Sequence, residues 1–220
     1  MKNRMMMKAV GAAMLSIASP SQAATTIDPL GDFLPSFAGP NNADLDVVSF
    51  SVDYDPVAMV FNLGAVLAGA INRATAGIYV IGVDTGTGAI APFASIGQPN
   101  VVFNQAIVVR KDGTGSVGAT ALDPSAIILA GNVLALRVPL ALFPSTGFSP
   151  ERYGFNLWPR TGFGSLDQIS DFAPDNANLA VAAPVPEPAI WSLLIMGFGG
   201  IAASMRRGRA RSLRRVSPVA

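Results

Sequence analysis

The stretch Val47-Val48-Ser49-Phe50-Ser51-Val52-Asp53-Tyr54-Asp55 (VVSFSVDYD) alternates apolar and polar side chains over nine residues. A period of two is the signature of a half-buried strand, and it puts Val48, Phe50, Val52 and Tyr54 on one face. Working outward, GIYVIGVD (77–84), NQAIVVRKD (104–112), AIILA (126–130), VLALRVPL (133–140) and RYGFNLW (152–158) repeat the signal. Clusters rich in Gly, Asp, Asn and Pro separate them. Asp112-Gly113 and Gly131-Asn132 have the composition of hairpin turns, where a positive φ is needed. A helical stripe is suggested only over 57–72, through Met59, Leu63, Val66, Leu67 and Ile71. About seven or eight short strands at this spacing predict a mainly β chain, an antiparallel β-sandwich.

The chain has 220 residues, half of them hydrophobic and only 13% charged, with a formal net charge of +1. That balance conceals segregation. Lys2, Arg4 and Lys8 stand at the start, and Arg206, Arg207, Arg209, Arg211, Arg214 and Arg215 near the end. Residues 24–183 carry six cations against twelve aspartates and Glu151, a net −7. An acidic body of this kind offers no clustered cations for nucleic acid. With neither cysteine nor histidine, Ser-His-Asp and Cys-His catalysis and Cys/His zinc sites are excluded. Enzymatic chemistry would have to rest on carboxylates, Lys, Ser/Thr, Tyr or a bound metal.

The ends carry addresses. Three cations precede the short apolar run Ala9–Ala18, Pro20 breaks it, and Ser21-Gln22-Ala23 supplies small residues for cleavage between Ala23 and Ala24. This is the plan of a secretory signal peptide over 1–23. At the other end, residues 189–205 hold no charge, and as a helix they would cover about 26 Å, close to a thin hydrocarbon layer. Trp191 suits the headgroup region, and the arginines from Arg206 onward hold that side in the cytoplasm. Before the expected span, Pro186-Glu187-Pro188 stays extended, because each proline disfavours helix at the residue before it. Residues 173–185, thin in large side chains and rich in Pro and Ala, read as a linker between a body at 24–172 and this tail.

Pro186-Glu187-Pro188, Trp191, the Gly-containing apolar run and the terminal arginines together resemble the PEP-CTERM sorting signal of Gram-negative bacteria. That tail is also filed as an "ice-binding protein C-terminal domain". The likeness covers about residues 184–215. It implies recognition by a membrane-embedded exosortase and cleavage at or near Pro186-Glu187-Pro188. It also implies transient contact with inner-membrane lipid as a single-pass protein with its C-terminus cytoplasmic. The body would then pass to the cell surface or extracellular matrix, where exopolysaccharide is a candidate partner. Within the body, GNVLALRVPL and YGFNLWPR resemble strands of carbohydrate-binding sandwich modules of the CBM9 or DOMON kind. No regular Thr-x-Thr ladder supports ice binding.

Other motifs invite chemistry. Gly113, Gly115 and Gly118 spell GxGxxG, but no helix pattern follows to meet a pyrophosphate, and a glycine-rich hairpin is expected. Asp84-Thr85-Gly86 resembles an aspartic-protease loop without the second loop that chemistry needs. Glu151 lies among Phe148, Tyr153, Phe155, Trp158 and Phe163, aromatics able to stack on sugars or to fill a core. Asp44, Asp46, Asp53 and Asp55 are close in sequence and offer hard oxygen ligands for Ca²⁺, the one ion the sequence suggests. The leading expectation is an exported, non-enzymatic surface or matrix protein. A carbohydrate-binding module and a carboxylate-dependent hydrolase using Glu151 or Asp84 are the alternatives.

Overall fold

The structure, a computed structural model, describes residues 23–181. The signal peptide expected over 1–23 falls outside them except for Ala23, and the sorting signal falls outside them entirely. Eleven strands order the described residues. They are β1 (Ala24–Ile27), β2 (Val47–Asp55), β3 (Val60–Leu67), β4 (Ile78–Asp84), β5 (Gln105–Arg110), β6 (Gly115–Val117), β7 (Thr120–Ala121), β8 (Ile127–Ala130), β9 (Val133–Pro139), β10 (Gly154–Arg160) and β11 (Leu179–Ala180). Sheet one has the order β1-β2-β3-β9-β8 and sheet two β11-β10-β4-β5-β6-β7. Every strand pair is antiparallel. The chain is therefore mainly β, built on two antiparallel sheets. β1, β6, β7 and β11 raise the count above the expected eight; at two to four residues each they are too short to show a period.

The inner faces of the sheets share one core. Phe50, Val52, Phe61 and Leu63 come from sheet one, and Tyr79, Ile81, Ile107 and Phe155 from sheet two. Phe61 joins them directly, its ring centroid 5.6 Å from Tyr153 and 5.1 Å from Phe155. A second core covers the opposite face of sheet two, where Ile78, Val80 and Trp158 pack with Leu34, Phe93, Val101, Ile169 and Phe172 from the connecting segments. β4 and β10 are thus buried on both faces. Hence their sequences run nearly continuously apolar instead of alternating. Gly82 is required here, since a Cβ on it would lie 2.5 Å from the Trp158 ring.

The helical stripe expected over 57–72 is not formed. Residues 60–67 are β3, with Phe61, Leu63, Ala65 and Leu67 buried and Asn62 and Val66 facing out. The period-two pattern of Phe61, Leu63 and Ala65 overrides the helical spacing because β2 and β9 pair along both edges of the segment. The two expected hairpin turns do form. Gly113 (φ 92) closes β5–β6, and Gly131 (φ 58) takes the first position of the two-residue loop joining β8 to β9. The linker reading of 173–185 is corrected as far as Val181. Ala173 bridges Leu157, β11 pairs with β10, and Val181 is buried in the shared core.

Candidate metal centre

The site begins with an irregularity in the strand that announced the fold. The pairing of β2 with β3 shifts between Val47 and Ser49. A bulge of this kind changes which side chains face inward. Val47 is fully buried and Val48 only half-buried, so the expected inward set of Val48, Phe50, Val52 and Tyr54 loses its first member to the bulge. Backbone groups at the bulge serve other segments. The Val47 amide donates to Asp171 Oδ2 at 2.8 Å, and the Val48 carbonyl accepts from the Asp28 amide at 2.9 Å.

Three segments converge there. Asp28 follows the edge strand β1, and Gly31 turns the chain through a positive φ of 80° before Asp32. Asp46 ends a short 3-10 turn (Ala43–Leu45) just before β2, and its Oδ2 accepts from the Gly31 amide at 2.8 Å. Asp171 lies in a segment along the edge of β10 away from β4, held by bridges from Ile169 to Arg160 and from Ala173 to Leu157. Ser170 fastens that segment inward, donating through Oγ to the carbonyls of Leu45 and Pro159.

One carboxylate oxygen from each of Asp28, Asp32 and Asp171 lies within 4.8 Å of the others. Asp28, Asp46 and Asp171 are 5%, 3% and 1% exposed. Asp28 Oδ2, Asp32 Oδ1 and Asp46 Oδ1 are buried with no hydrogen-bond partner. The sole salt bridge among the described residues, Lys111 with Asp44 at 2.6 Å, belongs elsewhere. Removing ionised carboxylates from water without a partner is costly, so such groups take up protons or a cation. Burial pushes Asp28 up to about 7, and the charges of Asp32, Asp175 and Asp46 add to the effect. Burial lifts Asp171 to about 8 against the opposing Val47 amide, with Asp28 and Asp32 adding to the rise. Asp32 and Asp46 are also raised, burial again leading.

The chain matches no family model, no curated protein and no solved structure. The chemistry of the cluster is therefore read from its own atoms.

Of the aspartates proposed from sequence for calcium, Asp44, Asp46, Asp53 and Asp55, only Asp46 adjoins this cluster, through the Gly31 amide between Asp28 and Asp32. Asp44 is spent on Lys111 and on the Asn72 amide. Asp53 faces outward from β2 and accepts from Asn62 Nδ2, while Asp55 receives the Val57 and Ala58 amides in the β2–β3 turn. Closeness in sequence grouped these four, but strand alternation and local turns disperse them. Asp28, Asp32 and Asp171 escaped that reading because Asp171 joins the others only through β10 and the bulge.

The remaining motifs resolve into structure. Gly113, Gly115 and Gly118 lie in the β5–β6–β7 hairpins, and no α-helix opens from them. Asp84 Oδ1 accepts from the Gly86 amide, and Thr85 is buried against Asn104 and Thr146. Glu151 sits on a 3-10 turn (Pro150–Arg152). Its aromatic neighbours in sequence part company. Tyr153 and Phe155 enter the shared core, Trp158 the second core, and Phe148 and Phe163 carry Arg152 and Arg160 over their rings. Among the described residues no helix is long and apolar enough to cross a membrane. Ala23 precedes β1 and Ala24 opens it. Pro186, Glu187, Pro188, Trp191, Arg206, Arg207, Arg209 and Arg211 lie outside the described residues.

Proposed function

We propose that this chain is an exported, non-enzymatic surface or extracellular-matrix protein. A signal peptide exports it, an apolar segment halts it in the inner membrane, and an exosortase processes it at Pro186-Glu187-Pro188. The observation that carries this reading is the ordered C-terminal series of Pro-Glu-Pro, Trp191, an uncharged run and arginines, opposite an N-terminal signal-peptide pattern. β1 opens at Ala24, the first residue expected after signal cleavage, which is in keeping with this reading. A body of two facing antiparallel sheets, a β-sandwich in this reading, needs no disulfide to survive export, because its two cores bury enough apolar surface.

Mass spectrometry of both termini of the protein recovered from its cells tests the route. Expected are a mature N-terminus at Ala24 and a C-terminus near Pro186-Glu187-Pro188, with the tail retained when the sorting enzyme is absent. Recovery from the cytosol with both ends uncut would overturn it.

A carbohydrate-binding role has its best seat on the outer face of sheet one. There Ser51, Asp53, Asn62, Gly64 and Arg137 line a groove of about 410 Å³, and Asp53 Oδ1 has no partner. Ser51, Asp53, Asn62 and Arg137 offer partners for sugar hydroxyls, and Ala126, Ile128 and Ala135 give the groove an apolar wall for a ring face. A glycan array discriminates this role from a purely structural one.

A further inference from the structure

We propose that Asp28, Asp32 and Asp171 bind one calcium ion, with the Asp46 carboxylate beside them adding negative charge, and that the ion clamps the segment after β1 and the segment beside β10 onto the start of β2. The inference stands apart from the sorting route, since it concerns the body alone. Its first support is geometric. Oxygens of Asp28, Asp32 and Asp171 lie mutually within 4.8 Å. Two ligands on one calcium, each at 2.3–2.6 Å, can be at most about 5 Å apart, so a single ion can touch all three.

The second support is independent of that triad. Asp46 is 3% exposed and directs its carboxylate at the Asp28–Asp32 loop, with Oδ2 taken by the Gly31 amide and Oδ1 without a partner. Asp28 Oδ2 and Asp32 Oδ1 are orphaned in the same way. Buried polar atoms in folded proteins are almost always satisfied, and those that are not commonly mark an ion or water. Four orphan-bearing or clustered carboxylates with no Lys or Arg among them call for a cation from solution. The donors are all hard oxygens, with no thiolate or imidazole in the chain, which selects calcium or magnesium over transition metals. Three segments of irregular backbone suit the loose coordination of calcium better than the strict octahedron of magnesium.

The backbone has already prepared the site. Asp171 is oriented by the Val47 and Phe172 amides, one on each oxygen, and Asp46 by Gly31. The same loop is tied to its neighbours, Leu34 donating to the Ser170 carbonyl and Ala38 to that of Asp167. Binding would therefore tighten contacts that exist, with little ordering to offset it.

The test uses the full-length chain purified in detergent, stripped with EDTA and titrated with CaCl₂ in a calorimeter, with thermal unfolding followed in parallel. One calcium per chain is expected. The melting temperature should rise by about 5–10 °C once calcium exceeds its dissociation constant about a hundredfold. Asp28→Asn and Asp32→Asn should each weaken binding about tenfold or more. In EDTA both variants should melt no lower than the parent, because each removes repulsion among the carboxylates. Asp112→Asn, in the β5–β6 turn, should leave binding unchanged. Asp32 is the most exposed of the four, so its variant keeps the test sound if a more buried substitution disturbs folding. Absence of both heat and melting shift in the parent overturns the proposal, as does undiminished binding in Asp28→Asn and Asp32→Asn.

Discussion

Lys111 carries its charge into the interior, only 4% exposed, and meets Asp44 Oδ2 at 2.6 Å and Thr75 Oγ1 at 3.0 Å. The pair joins the end of β5 to the 3-10 turn ahead of β2, near Tyr79, whose hydroxyl donates to the Asp44 carbonyl. Burial, aided by the Asp44 charge, pushes the Tyr79 hydroxyl well above its ordinary range, so it stays a donor throughout the physiological range. A buried ion pair stabilises little relative to an apolar pair, yet breaking it strands one charge. Lys111→Met should therefore cost about 3–5 kcal/mol in urea unfolding. The double variant Lys111→Met with Asp44→Asn should recover part of that loss. At this scale the sequence misled. It marked Asp44 as a metal ligand because Asp46 is two residues away, and nothing local shows that a lysine sixty-odd positions on claims it.

At the scale of elements, the segment after Phe172 does more than its composition suggests. Asn156, fully buried, donates through Nδ2 to the carbonyls of Pro174 and Ala177. Asn178 exchanges hydrogen bonds with both backbone groups of Val102, and Val181 closes the shared core while its amide donates to Tyr153. A chain ending at Phe172 should be less stable than one ending at Val185 by about 3–5 kcal/mol. The loss combines one core valine with a buried amide left unpaired. Denaturant midpoints of the two truncations check this. Small side chains made 173–181 resemble a linker, but its bonding is carried by backbone and asparagine amides, which hydropathy does not register. β2, β4, β5, β8, β9 and β10 were legible because alternation, or a continuous apolar run, is printed locally. β3 was misread where one apolar set satisfied both periods.

For the whole molecule, the acidic cluster sets a pH dependence. In the metal-free protein Asp28 and Asp171 are raised to about 7 and about 8, against an ordinary carboxylate value of 3.8. The folded state therefore holds protons that the unfolded state has already released. This contribution is fully present below the unfolded pKa and is lost as pH climbs through 7 and 8. Melting in the presence of a chelator should thus fall by several degrees, about 5 °C or more, between pH 5 and pH 8.5. A flat or rising profile would contradict the assigned shifts.

By itself the sequence determined the mainly β class, most strand positions, two glycine turns, the acidity of the body and the absence of any histidine or cysteine chemistry. These follow from side-chain periodicity, steric permission at glycine and composition, all of which act within a few residues. Tertiary structure alone decided that β4 and β10 are buried on both faces, that the sequence-adjacent aspartates separate, and that Asp28, Asp32 and Asp171 meet. Those outcomes depend on a bulge in β2 and on the pairing of distant strands. Their free energy comes from burying surfaces that no local window of residues contains.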